Sequence, residues 1–590
     1  MSYNIKRNQF YVEFRFCYCI YAYIMKVYLY LLTVLSLLIS LSFATEQGAP
    51  TKTKPHPVHG NDPSLVTYAD GTVRGLVFDK HRTFYGLPYA KPPVGDLRWQ
   101  NPLPPNVWED IRNATYERDG CPQECNLASF ACPVQGTNED CLFLNVFTPI
   151  SNTTSLKPVY VFIPGGAFTD GSADVPLYDG KHFAEAGIVL VTINYRLGIL
   201  GFLGNEDINL SGNYGFLDQI AALHWVRNHI SAFGGDPDQV SLGGQSAGAM
   251  SVVGHLISPL SNDLFQSVIV ESSPTSLGFK TIQEAKDNYA IFSRKVKCTT
   301  FQCLKDLSAA EITKIQNEMR QTLNLTNPIG TITQWTPVID GPVIPSQPLD
   351  AFEQGNFNHV PVILGENVDE GDVFVYPFFK LKLAKIIYNQ IVNTIFRKYS
   401  SEIKNQVLDL YPGVSLPGDN RPILARLLND LLFKCPNRYM ARALSKNGDM
   451  TYLYRYTHVN SFNGSLPFCH TSACHGDELP YVFNSYDLIG FNVSVEEREM
   501  AANISNYWYN FIENGDPNLG AETPVGWPRY IQNDKALNAI KLRVKIRMTN
   551  LDNISEGCDL FDELDKATEN LHFYYFGKKI DFHFNVPCFE

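Results

Sequence analysis

The stretch SLGGQSAGAM, Ser241–Met250, sets one serine, Ser246, between Gly244 and Gly248, with Gly243, Ala247 and Ala249 close by. Small neighbours are what a sharp turn from strand to helix needs when it lifts a hydroxyl clear of the backbone. A plain small-residue turn fits these ten residues as well, so the flanking sequence decides. Upstream, Val240–Leu242 reads as a short strand; downstream, Met250, Val253 and Leu256 recur at helical steps. Strand, turn and helix in that order are the context of a nucleophile elbow.

Further out, short apolar runs end in Gly or Pro: VYVFIPGG from Val159, GIVLVTINY from Gly187, SVIVESS from Ser267 and VPVILGEN from Val360. Continuous rather than alternating hydrophobicity marks strands buried on both faces, as in a parallel sheet. Between two such runs Leu217, Ile220, Leu223, Val226 and Ile230 recur at three- and four-residue steps, which predicts a helix. Strands alternating with helices predict an α/β fold: a large, mostly parallel, doubly wound central sheet flanked by helices.

The 590 residues are 45% hydrophobic and only 18% charged, enough apolar material for an extended core. Residues 1–44 read as a leader. MKVYLYLLTVLSLLISLSFA places Lys26 before an apolar run and Ser42-Phe43-Ala44 at its end, as a secretory signal cleaved after Ala44 would. Its length also suits a signal anchor. Residues 1–24 precede the signal awkwardly, which points to Met25 as the natural start. Thr45–Pro63, rich in Thr, Pro, Lys and Gly, reads as a flexible segment, and 64–590 as a single domain, since no repeat or long linker divides it.

Eleven of the thirteen cysteines lie beyond the leader, and in an exported chain they suit disulfides better than metal ligands. Eight Asn-x-Ser/Thr sequons, at Asn113, Asn152, Asn209, Asn324, Asn463, Asn492, Asn503 and Asn553, fit a secreted or lumenal glycoprotein. The formal net charge of −12, made more negative by loss of the basic leader, argues against nucleic acid as a partner. The end, DFHFNVPCFE, carries no anchor tail, so no stable membrane anchor is expected.

A serine hydroxyl needs a base within reach and an acid to orient that base. LGENVDEGDVF offers Glu370 in a Gly-bounded loop past a strand; CHGDELPYVF offers His475 before a glycine. At these residues the chain resembles the type B carboxylesterase and cholinesterase-like family of α/β-hydrolases. The likeness runs from FYGLPYAKPPVGDLRW through NEDCLFLNVFTP, the elbow block, PVIDG, GENVDEG and HGDELPYVF to NFIENGDPN and GWPRY. The resemblance implies Ser246 as nucleophile, Glu370 as acid and His475 as general base, in the chain order of these hydrolases. Glu366 and Asp369 are rivals of Glu370, and His470 of His475; the family pattern favours the residue directly before the glycine and the histidine leading GDEL.

FIPGGAF, Phe162–Phe168, resembles the family's oxyanion loop, with Gly165, Gly166 or Ala167 as N–H donors beside Ala247. Two positions depart from many relatives. Pro164 stands where a histidine or another residue precedes the glycines, and should stiffen the rim without removing a donor. Gln245 stands where a glutamate often precedes the nucleophile; a neutral amide should weaken attraction for a cationic substrate. The resemblance further implies disulfides Cys121–Cys141, Cys125–Cys132 and Cys298–Cys303. Cys435 with Cys558 resembles a long-range family bridge, and Cys469 with Cys474 would brace the turn into His475, although the pairing of these four stays open. Cys588 is then left over, which permits a disulfide-linked dimer and leaves the oligomeric state undecided. No tryptophan lies between Cys121 and Cys141, only Phe130, and TITQWTP offers a single Trp335 where an acyl-pocket phenylalanine pair would stand, so choline esters are not expected substrates.

The sequence therefore predicts a secreted serine carboxylesterase acting on a small-molecule ester through an acyl-enzyme, with no cofactor and no metal. A partner-binding protein, or a storage or crystal-forming protein retaining the residues vestigially, is the rival class. A lipase is the rival within enzymes.

Overall fold

The computed structural model describes residues 62–150, 154–321, 334–462, 466–532, 538–552 and 556–566. The leader, nearly all of 45–63, the sequons at Asn152, Asn324, Asn463 and Asn553, and Cys588 lie outside them. Within them, an 11-stranded sheet carries the molecule. Its strands are β1 (Leu76–Val77), β2 (His81–Pro88), β3 (Phe143–Pro149), β4 (Lys157–Ile163), β5 (Val189–Ile193), β6 (Gly235–Gln245), β7 (Ser267–Glu271), β8 (Val362–Asn367), β9 (Thr451–Tyr456), β10 (Ala539–Leu542) and β11 (Arg547–Thr549). The spatial order is β11-β10-β9-β8-β7-β6-β4-β5-β3-β2-β1. From β5 across to β10 every neighbour runs parallel; β11 at one edge and β3, β2 and β1 at the other pair antiparallel.

The apolar runs are strands because both faces of the sheet are covered. Side chains alternate across a pleat, so Val159, Val161 and Ile163 of β4 join one core, while Tyr160 and Phe162 join the other. The first core packs helices α1 (Tyr214–His229) and α2 (Ala247–Ile257); the second packs α3 (Val495–Asn514) through Ile504, Trp508 and Phe511. Full burial on two sides explains hydrophobicity without alternation.

In α1 the structure departs from the one-sided stripe. Leu217 is only half-buried, whereas Asp218 and Gln219 on other faces are fully buried. Both polar groups are paired: Arg196 donates to Asp218 through Nε and Nη2, each at 2.7 Å, and Gln219 Nε2 donates to Ser251 Oγ at 3.0 Å. A helix so enclosed hides polar residues that periodicity assigns to solvent.

β6 ends at Gln245, in the middle of the sheet and at the carboxyl ends of the parallel strands. Loops there gather in the crevice where open α/β sheets hold their ligands.

Candidate functional site

Ser246 is the turn between β6 and α2. Its φ of 59° and ψ of −120° lie in a region that costs a side-chain-bearing residue about 1–3 kcal/mol. The surroundings hold it there: Ser246 N–H donates to Glu271 O at 2.9 Å, and Met250 N–H donates back to Ser246 O at 2.9 Å. Gly248 is required because a Cβ there would run into the carbonyl of Ile163 at the end of β4. The small residues thus serve close approach of helix to strand, and the serine stands half-exposed at the top.

Facing it, Pro164–Asp170 forms a second turn. Gly166, Ala167 and Phe168 have φ of 119°, 53° and 59°, and the Gly166 carbonyl accepts from the N–H groups of Thr169 and Asp170. This curl leaves donors free. Among the described residues the N–H groups of Gly165, Gly166, Ala167 and Ala247 have no acceptor. Gly166 and Ala167 are partly open to solvent, and N–H groups without a protein acceptor are suited to receive an incoming negative oxygen. Pro164, whose carbonyl accepts from Tyr195 Oη at 3.1 Å, fixes the rim without entering the donor set.

Glu370 follows β8 and is fully buried. Its Oε1 accepts from Asn367 N–H at 2.7 Å and its Oε2 faces His475 Nδ1 at 2.5 Å. A carboxylate only accepts, so Nδ1 carries the proton and Nε2 is left with its lone pair. Burial alone would lower the imidazole pKa, but the charge and hydrogen bond of Glu370 outweigh it and raise it above the ordinary value. Of the rivals, Glu366 accepts instead from Asn437 Nδ2 at 3.1 Å, Asp369 from Ala473 N–H at 2.9 Å, and His470 is exposed.

Ser246, the N–H groups of Gly165 to Ala167 and the Glu370–His475 pair thus lie at one end of the sheet, with Gln245 between the serine and the imidazole. His475 Nε2 stands 3.1 Å from Gln245 Nε2, and among the described residues the Ser246 hydroxyl makes no hydrogen bond.

Sequence reasoning missed a supporting layer beneath the histidine. Asn367 Nδ2 donates to Cys474 O at 2.6 Å and to Glu478 Oε2 at 2.5 Å. Asn429 Oδ1 accepts from Glu370 N–H at 3.2 Å, at the start of a π-helical turn, Asp430–Lys434. Burial, then the charge of Glu370, push Glu478 up to about 8. Asn367 and Glu478 lie inside the GENVDEG and HGDELPYVF blocks; nothing local flagged Asn429.

The cysteines pair as Cys121–Cys141, Cys125–Cys132, Cys298–Cys303, Cys435–Cys558 and Cys469–Cys474. Phe130 meets Phe491 edge-on at 5.1 Å, and Trp335 is buried. Of the described sequons, Asn113, Asn209 and Asn492 are exposed; Asn503 lies inside α3, where Ser505 is buried and donates to Ala501 O at 2.9 Å.

Residues 62–556 match the model of the Carboxylesterase family. The chain is 41% identical over 523 residues to the cAMP-regulated D2 protein of Dictyostelium discoideum, covering 88% of this chain and 95% of that one. It is 42% identical over 511 residues to the Crystal protein of the same organism, covering 85% and 90%. Among solved structures, PNB esterase aligns with a TM-score of 0.71 and 31% identity, over 84% of this chain and all of that one, at 100%. The fold is that of an α/β-hydrolase, and the chain belongs to the carboxylesterase family.

Proposed function

We propose that the protein is an exported serine esterase, its hydrolase domain spanning 64–590, that cleaves carboxylic esters of small molecules through an acyl-enzyme. The observation that carries this reading is the set of free N–H groups at Gly165, Gly166, Ala167 and Ala247 around a strained Ser246, beside an imidazole already oriented by Glu370.

In this mechanism Ser246 Oγ attacks the ester carbonyl carbon while His475 Nε2 takes its proton. The carbonyl oxygen becomes an oxyanion in the N–H cluster, each donor contributing about 3 kcal/mol of barrier lowering. The C–O bond to the alcohol breaks as His475 returns the proton to it. Water then attacks the acyl-serine by the same route, freeing the acid and restoring Ser246. The Ser246–His475 hydrogen bond has to form on the way, as such bonds often tighten only with substrate present. Ser246→Ala should abolish turnover of p-nitrophenyl acetate with an unchanged unfolding midpoint; full activity in that variant would refute the assignment.

Export is supported by the five disulfides, which persist in oxidising compartments. Among the described residues no helix is long and apolar enough to cross a membrane. A second reading, a secreted storage or crystal-forming protein, is favoured by the likeness to a relative named Crystal protein. The turnover assay separates the two.

A further inference from the structure

We infer that Gln245 is a positioning residue for the general base: its carboxamide competes with Ser246 for Nε2 of His475 and has to release it before acyl transfer. This rests on the ester hydrolysis proposed above and says what governs its resting state. Gln245 is the last residue of β6, and its side chain is buried between the two halves of the site. Its Oε1 end lies beside the oxyanion turn, where a Cβ at Gly165 would come within 3.0 Å of it. Its Nε2 end lies 3.1 Å from His475 Nε2.

With Nδ1 donating to Glu370, Nε2 of the neutral ring has one lone pair and takes one strong donor. Here that donor is the amide, and the Ser246 hydroxyl has no partner among the described residues. Protonation of the ring would set N–H against N–H, so the amide must then turn over and offer Oε1. A carboxylate in its place could only accept and would favour the imidazolium. The acidic groups facing His475 are Glu370, Asp477 and Glu478, of which Glu478 holds its proton up to about pH 8. The neutral amide on β6 therefore keeps the base unprotonated to lower pH than a carboxylate in its place would allow, at the cost of occupying it.

Two substitutions read these consequences separately, each checked for an unchanged unfolding midpoint. Gln245→Glu keeps the shape and adds the charge. In the pH profile of kcat/KM for p-nitrophenyl acetate its acid limb should move up by about one unit, leaving roughly tenfold less activity on that limb. Gln245→Met keeps the bulk and removes the competing donor, so the plateau of kcat/KM should rise about fivefold. An acid limb in Gln245→Glu that superimposes on the wild type, or a plateau that falls in Gln245→Met, overturns the inference. The low-field NMR signal of the His475 Nδ1 proton, assigned by its loss in His475→Gln, follows the same titration without turnover. If no form hydrolyses the ester, an upward shift of that signal in Gln245→Glu upholds the inference while the esterase reading falls. An unmoved signal sinks the inference alone.

Discussion

At the scale of single residues, the site divides between groups that react and groups that hold them. Glu370 is of the second kind: with one oxygen on Asn367 N–H and the other on His475 Nδ1, it would in the proposed mechanism fix the tautomer and balance the imidazolium formed during attack. Glu370→Gln keeps the shape but admits the wrong tautomer, and should lower kcat about 10⁴-fold with little loss of stability. A loss of less than tenfold in steady-state assays would mean that another acid orients the ring. Of the proposed triad, Ser246 is marked in the sequence by its elbow pattern, whereas Glu370 and His475 are singled out from their rivals by the family blocks they sit in. The contacts between side chains are not legible there. Gln245 meets a histidine 230 residues away, and Asn367 meets Glu478 across 111. In the sequence Gln245 is only a missing charge; in the structure its amide also stands 3.1 Å from Nε2 of the ring.

At the scale of elements, two disulfides do different work. Cys435–Cys558 closes 123 residues, and on the chain-entropy model its removal costs about 4–5 kcal/mol; Cys469–Cys474 closes only five and costs about 2 kcal/mol. The short bridge, however, ends at the residue before His475, and its Cys474 carbonyl is held by Asn367. Replacing Cys435 and Cys558 by serine should lower the unfolding midpoint strongly while leaving kcat/KM at 25 °C near that of the parent. Replacing Cys469 and Cys474 should do the reverse, with kcat/KM falling at least tenfold for a smaller loss of midpoint. Equal effects from the two pairs would show that the bridge does not position the histidine. Elements were readable where they are locally determined. The runs at Val159, Gly187, Ser267 and Val360 are strands because two covered faces demand continuous apolar sequence. The π-helical turn at Asp430–Lys434 joins the helices Arg421–Asn429 and Cys435–Asn447 just ahead of Pro436; that proline marks a break in the ladder, but not that the chain bridges it with a π turn rather than a loop.

At the scale of the molecule, the buried acids beneath the site couple stability to pH. Burial, then Glu370, raises Glu478 to about 8, so between about pH 4 and 8 the folded chain keeps a proton that the unfolded chain has released. Stability from this group therefore declines as pH rises through that window. His475 acts in the same direction. Its raised value contributes stability that is present below the ordinary histidine pKa and lost as pH climbs through the folded one. Urea unfolding at a series of pH values should show this fall, and Glu478→Gln, which stands in for the neutral acid, should flatten it; an identical slope in that variant would place the proton elsewhere. The proposed mechanism stands on Ser246 being a nucleophile activated where β6 meets α2. Its most direct test is covalent: incubate the protein with diethyl p-nitrophenyl phosphate and locate the adduct by peptide mass spectrometry. The account predicts one diethylphosphoryl group per chain, on Ser246, and none in Ser246→Ala; an unlabelled Ser246, or a label on another residue, would contradict it.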